Sequence, residues 1–136
     1  MKYYAVLDTK VIVSAMLSKN DDAATVQVMN MVLRGDVVSL YSKDTIAEYR
    51  EVLARSKFKF DTNLTEYLIS AIEKFGIQVT PSSTGKILPD MDDLPFYEIA
   101  MEKIDCNPYL ITGNTRLFTN ESFVVSPAEF LKLIGE

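Results

Sequence analysis

The sequence contains no histidine and no tryptophan, one cysteine, and only five glycines and five prolines among its 136 residues. Without imidazole, and with a single thiolate, the chain alone cannot build a nitrogen- and sulfur-rich zinc site. The same absence excludes Ser-His-Asp and Cys-His nucleophilic machinery. One cysteine cannot close an intrachain disulfide, so a reducing compartment is compatible with the fold. No apolar run approaches the length of a membrane-spanning helix. The apolar stretch after Met1 and Lys2 is broken at Asp8 and Lys10, before it reaches the length of a signal core. These absences predict a soluble, intracellular protein of the cytoplasm with no membrane partner. Any catalysis must run on carboxylates, lysine, hydroxyls or a metal held by oxygen.

What is present is an ordinary globular composition, 48% hydrophobic, with 14 Lys and Arg against 19 Asp and Glu. The length predicts one domain over residues 1–136. A formal charge of −5 argues against a general nucleic-acid coat, which needs excess Lys and Arg. It leaves open an enzyme that acts on nucleic acid through bound divalent cations, because the metal brings its own positive charge.

Tyr3 to Leu7 is a short apolar run that reads as a buried strand ending at Asp8. Helical spacing follows over Val11 to Leu17, then over Ala23 to Arg34, with Gly35 as the stop. Val37 to Tyr41 reads as the second strand. Asp44 to Arg55 is predicted helical, with Ile46, Tyr49, Val52 and Leu53 on one stripe. Asn63 and Glu66 read as the N-cap and its N3 partner, three residues on, of a helix running to Phe75, before Gly76. Ile77 to Thr80 is the third strand, and Pro81 to Pro89 is the longest irregular piece. Asp92 and Asp93 lead into a helix with Pro95 in its first turn and Phe96, Ile99, Ala100 and Met101 along it. Tyr109 to Thr112 and Phe123 to Val125 are the last strands, and Ser126, Pro127 and Glu129 start a final helix. Strands alternating with helices predict an α/β fold, a three-layer α/β/α sandwich around a parallel sheet of about five strands.

On that reading, polar positions collect at one edge. Asp8 closes the first strand and Asn114 follows the fourth, and ligands of open parallel sheets bind beyond the carboxyl ends of the strands. Asp93 sits at a helix start and Glu48 in the second turn of its helix. Three carboxylates and an amide are hard oxygen donors suited to Mg²⁺ or Mn²⁺. Each carboxylate also has a purely structural reading: Asp8 and Asp93 as helix caps, the stronger case being Asp93, and Glu48 as a solvated residue pairing with Lys43 or Arg55.

These residues carry a resemblance. Val6 to Leu17 (VLDTKVIVSAML), Ser42 to Phe60 (SKDTIAEYREVLARSKFKF), Pro89 to Ala100 (PDMDDLPFYEIA), Leu110 to Phe118 (LITGNTRLF) and Ser126 to Leu131 (SPAEFL) resemble, in order, the PIN-domain family. The likeness is to its bacterial branch of toxin components from toxin–antitoxin pairs. The resemblance implies a Mg²⁺- or Mn²⁺-dependent endoribonuclease cleaving RNA phosphodiesters by metal-activated water and leaving a 5′-phosphate. It implies Asp8, Glu48 and Asp93 as catalytic acidic ligands, with Asn114 at the fourth metal-site position. Glu98, Thr112 and Lys10 are additional candidates, and Asp92 is the alternative to Asp93. RNA as substrate, an antitoxin protein and a second copy of the chain are the implied partners.

One departure stands out. The family usually reads D-T-N at the first strand end, whereas Lys10 follows Asp8 and Thr9 here. An ammonium at that place either competes with a metal or binds substrate phosphate. It opens a second reading, a catalytically weakened RNA- or protein-binding module. A haloacid-dehalogenase-type phosphatase also begins with Asp at a strand end, but Lys10 occupies the place of its second carboxylate. Arg55 to Phe60 (RSKFKF) interleaves cations and aromatics in a way that suits RNA. The favoured reading of that segment is a helix end whose Phe58 and Phe60 dock into the core. Cys106 and the methionines Met16, Met29, Met31 and Met101 read as packing residues.

Overall fold

Tyr3–Leu7 (β1) and Val37–Tyr41 (β2) bury residues on successive positions rather than alternate ones, as strands covered on both faces must. In the computed structural model, which describes residues 2–118 and 121–135, they pair in parallel, with Tyr3 opposite Val37 and Ala5 opposite Ser39. Ile77–Gln78 (β3) extends the sheet beyond β2. Tyr109–Ile111 (β4) pairs with the other edge of β1, and Val124–Val125 (β5) lies outside β4. The order is β3-β2-β1-β4-β5, all parallel, with helices on both sides. The predicted α/β/α sandwich of five strands is therefore the observed architecture.

The order has one consequence for the site. Successive strands run outward from β1 in one direction through β2 and β3, then resume on its opposite side with β4. The connections leaving β1 and β4 diverge at this switch point, and a crevice opens beyond their carboxyl ends.

The helices are Thr9–Leu17 (α1), Ala24–Arg34 (α2), Lys43–Leu53 (α3), Thr62–Phe75 (α4), Leu94–Glu102 (α5) and Pro127–Leu133 (α6). Their ends follow local chemistry. Gly35 stops α2 in the left-handed conformation, φ +82°, and Ser42 with Thr45 forms a capping box that starts α3. Ser126 and Glu129 form a second box on α6, as their spacing predicted. Phe130 then locks α6 to the sheet, edge-on to Tyr3 at 6.0 Å and to Tyr109 at 5.2 Å.

One cap differs from expectation. The N-cap of α4 is Asp61, whose side chain accepts from the Asn63 backbone N–H at 2.8 Å. Asn63 lies inside the first turn, and Glu66 faces Arg50 at 3.3 Å instead of closing a box. Phe60 packs partly buried against the core and so places the entry to the helix one residue beyond itself. The strands β3, β4 and β5 are also shorter than their apolar runs. Past Gln78 a single bond, Val79 N–H to Tyr41 O at 2.7 Å, continues the pairing. Among the described residues, no helix is long and apolar enough to cross a membrane.

Candidate active site

Asp8 sits at the switch point because β1 ends one residue before it. Its backbone N–H donates to Ile111 O at 3.0 Å, joining the ends of β1 and β4. The side chain is buried, and each of its oxygens accepts one hydrogen bond. Oδ1 accepts from the Lys10 backbone N–H at 3.2 Å, capping α1, while Oδ2 accepts from Thr112 Oγ1 at 2.8 Å. Thr112, the first residue past β4 and fully buried, accepts in turn from the Asn114 N–H at 3.1 Å. Capping and site placement are therefore both properties of Asp8. The two bonds hold the carboxylate in one orientation before any ligand arrives.

Glu48 reaches the same crevice from α3. Thr9 Oγ1 donates to Glu48 Oε2 in a short hydrogen bond. The next residue, Tyr49, is fully buried and donates from its hydroxyl to Leu7 O at 2.5 Å. Burial, then the charges of Asp8 and Glu48, push its phenol far above the ordinary range, so it stays a neutral donor. This bond clamps α3 to the end of β1, one residue before Asp8. From the sequence Tyr49 reads only as part of an apolar stripe; nothing local marks its hydroxyl as a clamp.

Asp93 enters the crevice from a third element, at the end of a 3₁₀ turn over Met91–Asp93 that runs directly into α5. It makes no side-chain cap, contrary to the structural reading that the sequence favoured. Asp90 does the capping, accepting from the Asp92 N–H at 3.0 Å, because the chain enters the 3₁₀ turn there and not at the α-helix. The Asp93 carboxyl is raised to about 6, first by burial, then by Asp8 and Asp90, against the lowering effect of Lys10, and finally by Asp92.

These groups line one cavity of about 360 Å³. Among the described residues five carboxylates line it, from Asp8, Glu48, Asp90, Asp92 and Asp93, against the three cations Lys10, Arg55 and Lys57. Lys10 thus stands in the cavity wall rather than pointing away. Asp90 is the acidic member that sequence reading passed over. Its place in the D-x-D-D run after Pro89 is the signal that could have found it. Two candidates fall elsewhere. Asn114 is half-buried and does not line the cavity. The Glu98 carboxylate accepts from Thr84 N–H at 2.6 Å and Thr84 Oγ1 at 3.0 Å, which ties down the loop after β3.

The RSKFKF segment also departs from expectation. Phe60 packs against the core, but Phe58 does not dock there; half-buried, it lines the acidic cavity beside Arg55 and Lys57. Between the two rings Lys59 adopts φ +54°, a left-handed conformation costing a non-glycine residue about 1 kcal/mol. The turn brings Phe58 and Phe60 face to face, with centroids 5.2 Å apart and planes 9° from parallel.

The donor chemistry of the cavity is that of a hard divalent cation: oxygen only, with an excess of negative charge and one carboxyl strained toward protonation by its neighbours. Among the described residues, no three carboxylates stand close enough together to ligate one ion. The arrangement fits an ion that keeps several waters and takes one or two protein carboxylates, which is the habit of Mg²⁺, and it does not fit an all-protein cage.

The order of elements and the residues at the switch point agree with an independent comparison: a family model of the PIN domain matches residues 4–116. That span takes in Asp8, Glu48, Asp93, Thr112 and Asn114. No curated protein and no solved structure matches the chain.

Proposed function

The chain belongs to the PIN-domain family, whose fold is nuclease-like, and from that premise we propose that it is a Mg²⁺- or Mn²⁺-dependent endoribonuclease. The observation that carries the reading is the acidic cavity at the β1/β4 switch point, with Asp8, Glu48 and Asp93 converging on it from three different elements. Asp8 and Glu48 would hold the cation, with Asp93 in the same cavity. Bound there, a divalent cation supplies Lewis acidity toward a phosphodiester and lowers the pKa of an attacking water. The protein's part is orientation: Thr112 and the Lys10 N–H fix Asp8, Thr9 fixes Glu48, and Tyr49 fixes the backbone between them. Purified protein is expected to cleave a mixed single-stranded RNA in Mn²⁺ and to stop on addition of EDTA. A folded sample inert across a range of metal concentrations would overturn the reading.

Lys10 supports a second reading. Its place in the cavity wall, with its charge acting on Asp93, suits a protein in which an ammonium stands in for part of the cation and chemistry is weakened. Cleavage that appears only in Lys10→Asn would establish that case.

The threonine that orients Asp8 gives a sharper test of the mechanism. Thr112→Val keeps the shape but leaves Asp8 Oδ2 and the Asn114 N–H without their partner. Activity is expected to fall about 10- to 100-fold, as for other loss of support behind a metal ligand. Stability should fall by only about 1–2 kcal/mol.

Metal binding is also expected to show in stability. Asp93 has a native value of about 6 against an ordinary 3.8. A carboxyl raised on folding stabilises the fold fully below its unfolded value, and that contribution is lost as pH rises through its native value. Metal-free protein should therefore lose stability from pH 4 to pH 7 relative to Asp93→Asn, measured by thermal unfolding. Mn²⁺ should restore it at pH 7 and have little effect at pH 4. Equal pH slopes in the two proteins would show that Asp93 carries no such burden.

Within this reading the protein is the cytoplasmic toxin component of a toxin–antitoxin pair. An apolar groove at Met16, Met29, Leu33 and Leu64, with Leu17 and Tyr67 more than half exposed nearby, supports an antitoxin or a second copy as partner.

A further inference from the structure

Part of the cavity lining carries cations and an aromatic ring, which a metal ion does not need. Arg55, Lys57 and Phe58 follow α3 directly and line the same cavity as Asp8 and Asp93. Arg55 is steadied by Glu51, one helical turn back, through paired contacts of 3.3 and 3.0 Å. Phe58 is not held by the core. Its ring is stacked in parallel on Phe60, across the left-handed residue Lys59. The exposed Lys57 ammonium lies over the ring, 5.1 Å from its centroid. A flat aromatic surface, stacked on Phe60 and with an exposed ammonium over its ring, lines the acidic crevice.

We infer that Phe58 is the stacking platform for a nucleobase adjacent to the cleaved phosphodiester, and that Lys57 leaves the ring for the neighbouring phosphate when the base arrives. The inference rests on the nuclease reading above. A base offers the ring a larger π-face than an ammonium does, and stacking of this kind accepts any base, because every base has one. The displaced ammonium is most useful on phosphate, where it offsets the negative charge that the carboxylates direct at the backbone. A paired base cannot reach the ring, so the nucleotide at this position must be unstacked.

The absence of tryptophan from the chain supplies a probe. In Phe58→Trp the new indole is the sole tryptophan and reports stacking directly. Its fluorescence is expected to be quenched by a single-stranded 12-mer RNA, and much less by the same sequence as a blunt duplex, with Ca²⁺ replacing Mn²⁺. Phe58→Leu, which keeps an apolar side chain, is expected to raise KM for the single strand about tenfold with kcat changed less than twofold. Lys57→Gln should lower the salt dependence of binding by about one ion, and Phe58→Leu should leave it unchanged. If the wild type cleaves RNA while Phe58→Leu keeps its KM and the tryptophan is not quenched, the platform is refuted and the nuclease reading stands. If the indole is quenched by the single strand but no protein cleaves, Phe58 stands as a stacking platform for bound RNA, while its place beside a cleaved bond and the catalytic reading both fail. Equal quenching by strand and duplex, or no binding by either, overturns the platform.

Discussion

Asp8→Asn is expected to reduce RNA cleavage more than about a hundredfold while leaving the protein folded. The loss should exceed that for Thr112→Val, because Asp8 would touch the cation itself whereas Thr112 only orients it. The structural reason for retained folding is specific. Asparagine keeps one oxygen, so either the cap on the Lys10 N–H or the bond from Thr112 survives. It also removes one of the charges that raise Asp93, which should then titrate closer to the ordinary carboxyl range. At pH 7 without metal the variant is therefore expected to melt within a few degrees of the wild type, and its stability should vary less between pH 4 and pH 7. Such a pattern, an inactive protein no less stable than its parent, marks a group kept for function at some cost to the fold. Full metal-dependent cleavage by Asp8→Asn would remove the proposed mechanism. A collapse in Tm would show instead that Asp8 is chiefly a cap.

Gly76→Ala is expected to have the largest effect on stability. Gly76 turns the chain from α4 into β3, and its φ of −93° is open to any residue. The constraint is space. A methyl group there would sit against Ile72 O of α4 and Ser39 O of β2, closer than a Cβ approaches a backbone oxygen in real proteins. Both obstacles are backbone, so neither can rotate away. Relief requires α4 to lift from the sheet, at a cost of about 3 kcal/mol, the upper end for overpacking. The Tm should fall by about 10 °C. Gly113→Ala is the control: among the described residues nothing lies within 4 Å of its added Cβ, and its Tm should not move measurably. An unchanged Tm for Gly76→Ala would mean that the α4–β3 corner adjusts at no cost.

Much of this protein was legible from its sequence, wherever the deciding interaction lies within a few residues. The runs at Tyr3–Leu7 and Val37–Tyr41 end as strands where the apolar residues end. Gly35 stops α2, and Ser126 with Glu129 starts α6, because a cap is settled between neighbours in the chain. Where two residues compete locally, the local signal was insufficient. Asp61 and Asn63 are both good caps, and it was the packing of Phe60 that favoured the first. Asp90 and Asp93 compete in the same way, and the 3₁₀ turn between them gave the cap to Asp90.

The site separates the two kinds of information more sharply. Carboxylates at the end of a strand and at a helix start are visible as residues, and with the family likeness they named Asp8, Glu48 and Asp93. Which of the candidates share a space was decided by the strand order. Placing β4 against β1 puts Thr112 on Asp8 across 104 residues of chain. Packing α3 on the end of β1 brings Glu48 to Thr9 and hides the Tyr49 hydroxyl on Leu7. Glu98, on the same helix that Asp93 begins, was taken by Thr84 from a loop that no periodicity describes. Phe58 lines the cavity and not the core, next to a residue in the left-handed conformation that no periodicity announces. The sequence by itself determined the elements, the caps without a local competitor and the chemistry on offer, because those depend on short-range sterics and periodicity. Only the tertiary structure decided which side chains meet, because that depends on strand order and on the space left between packed layers.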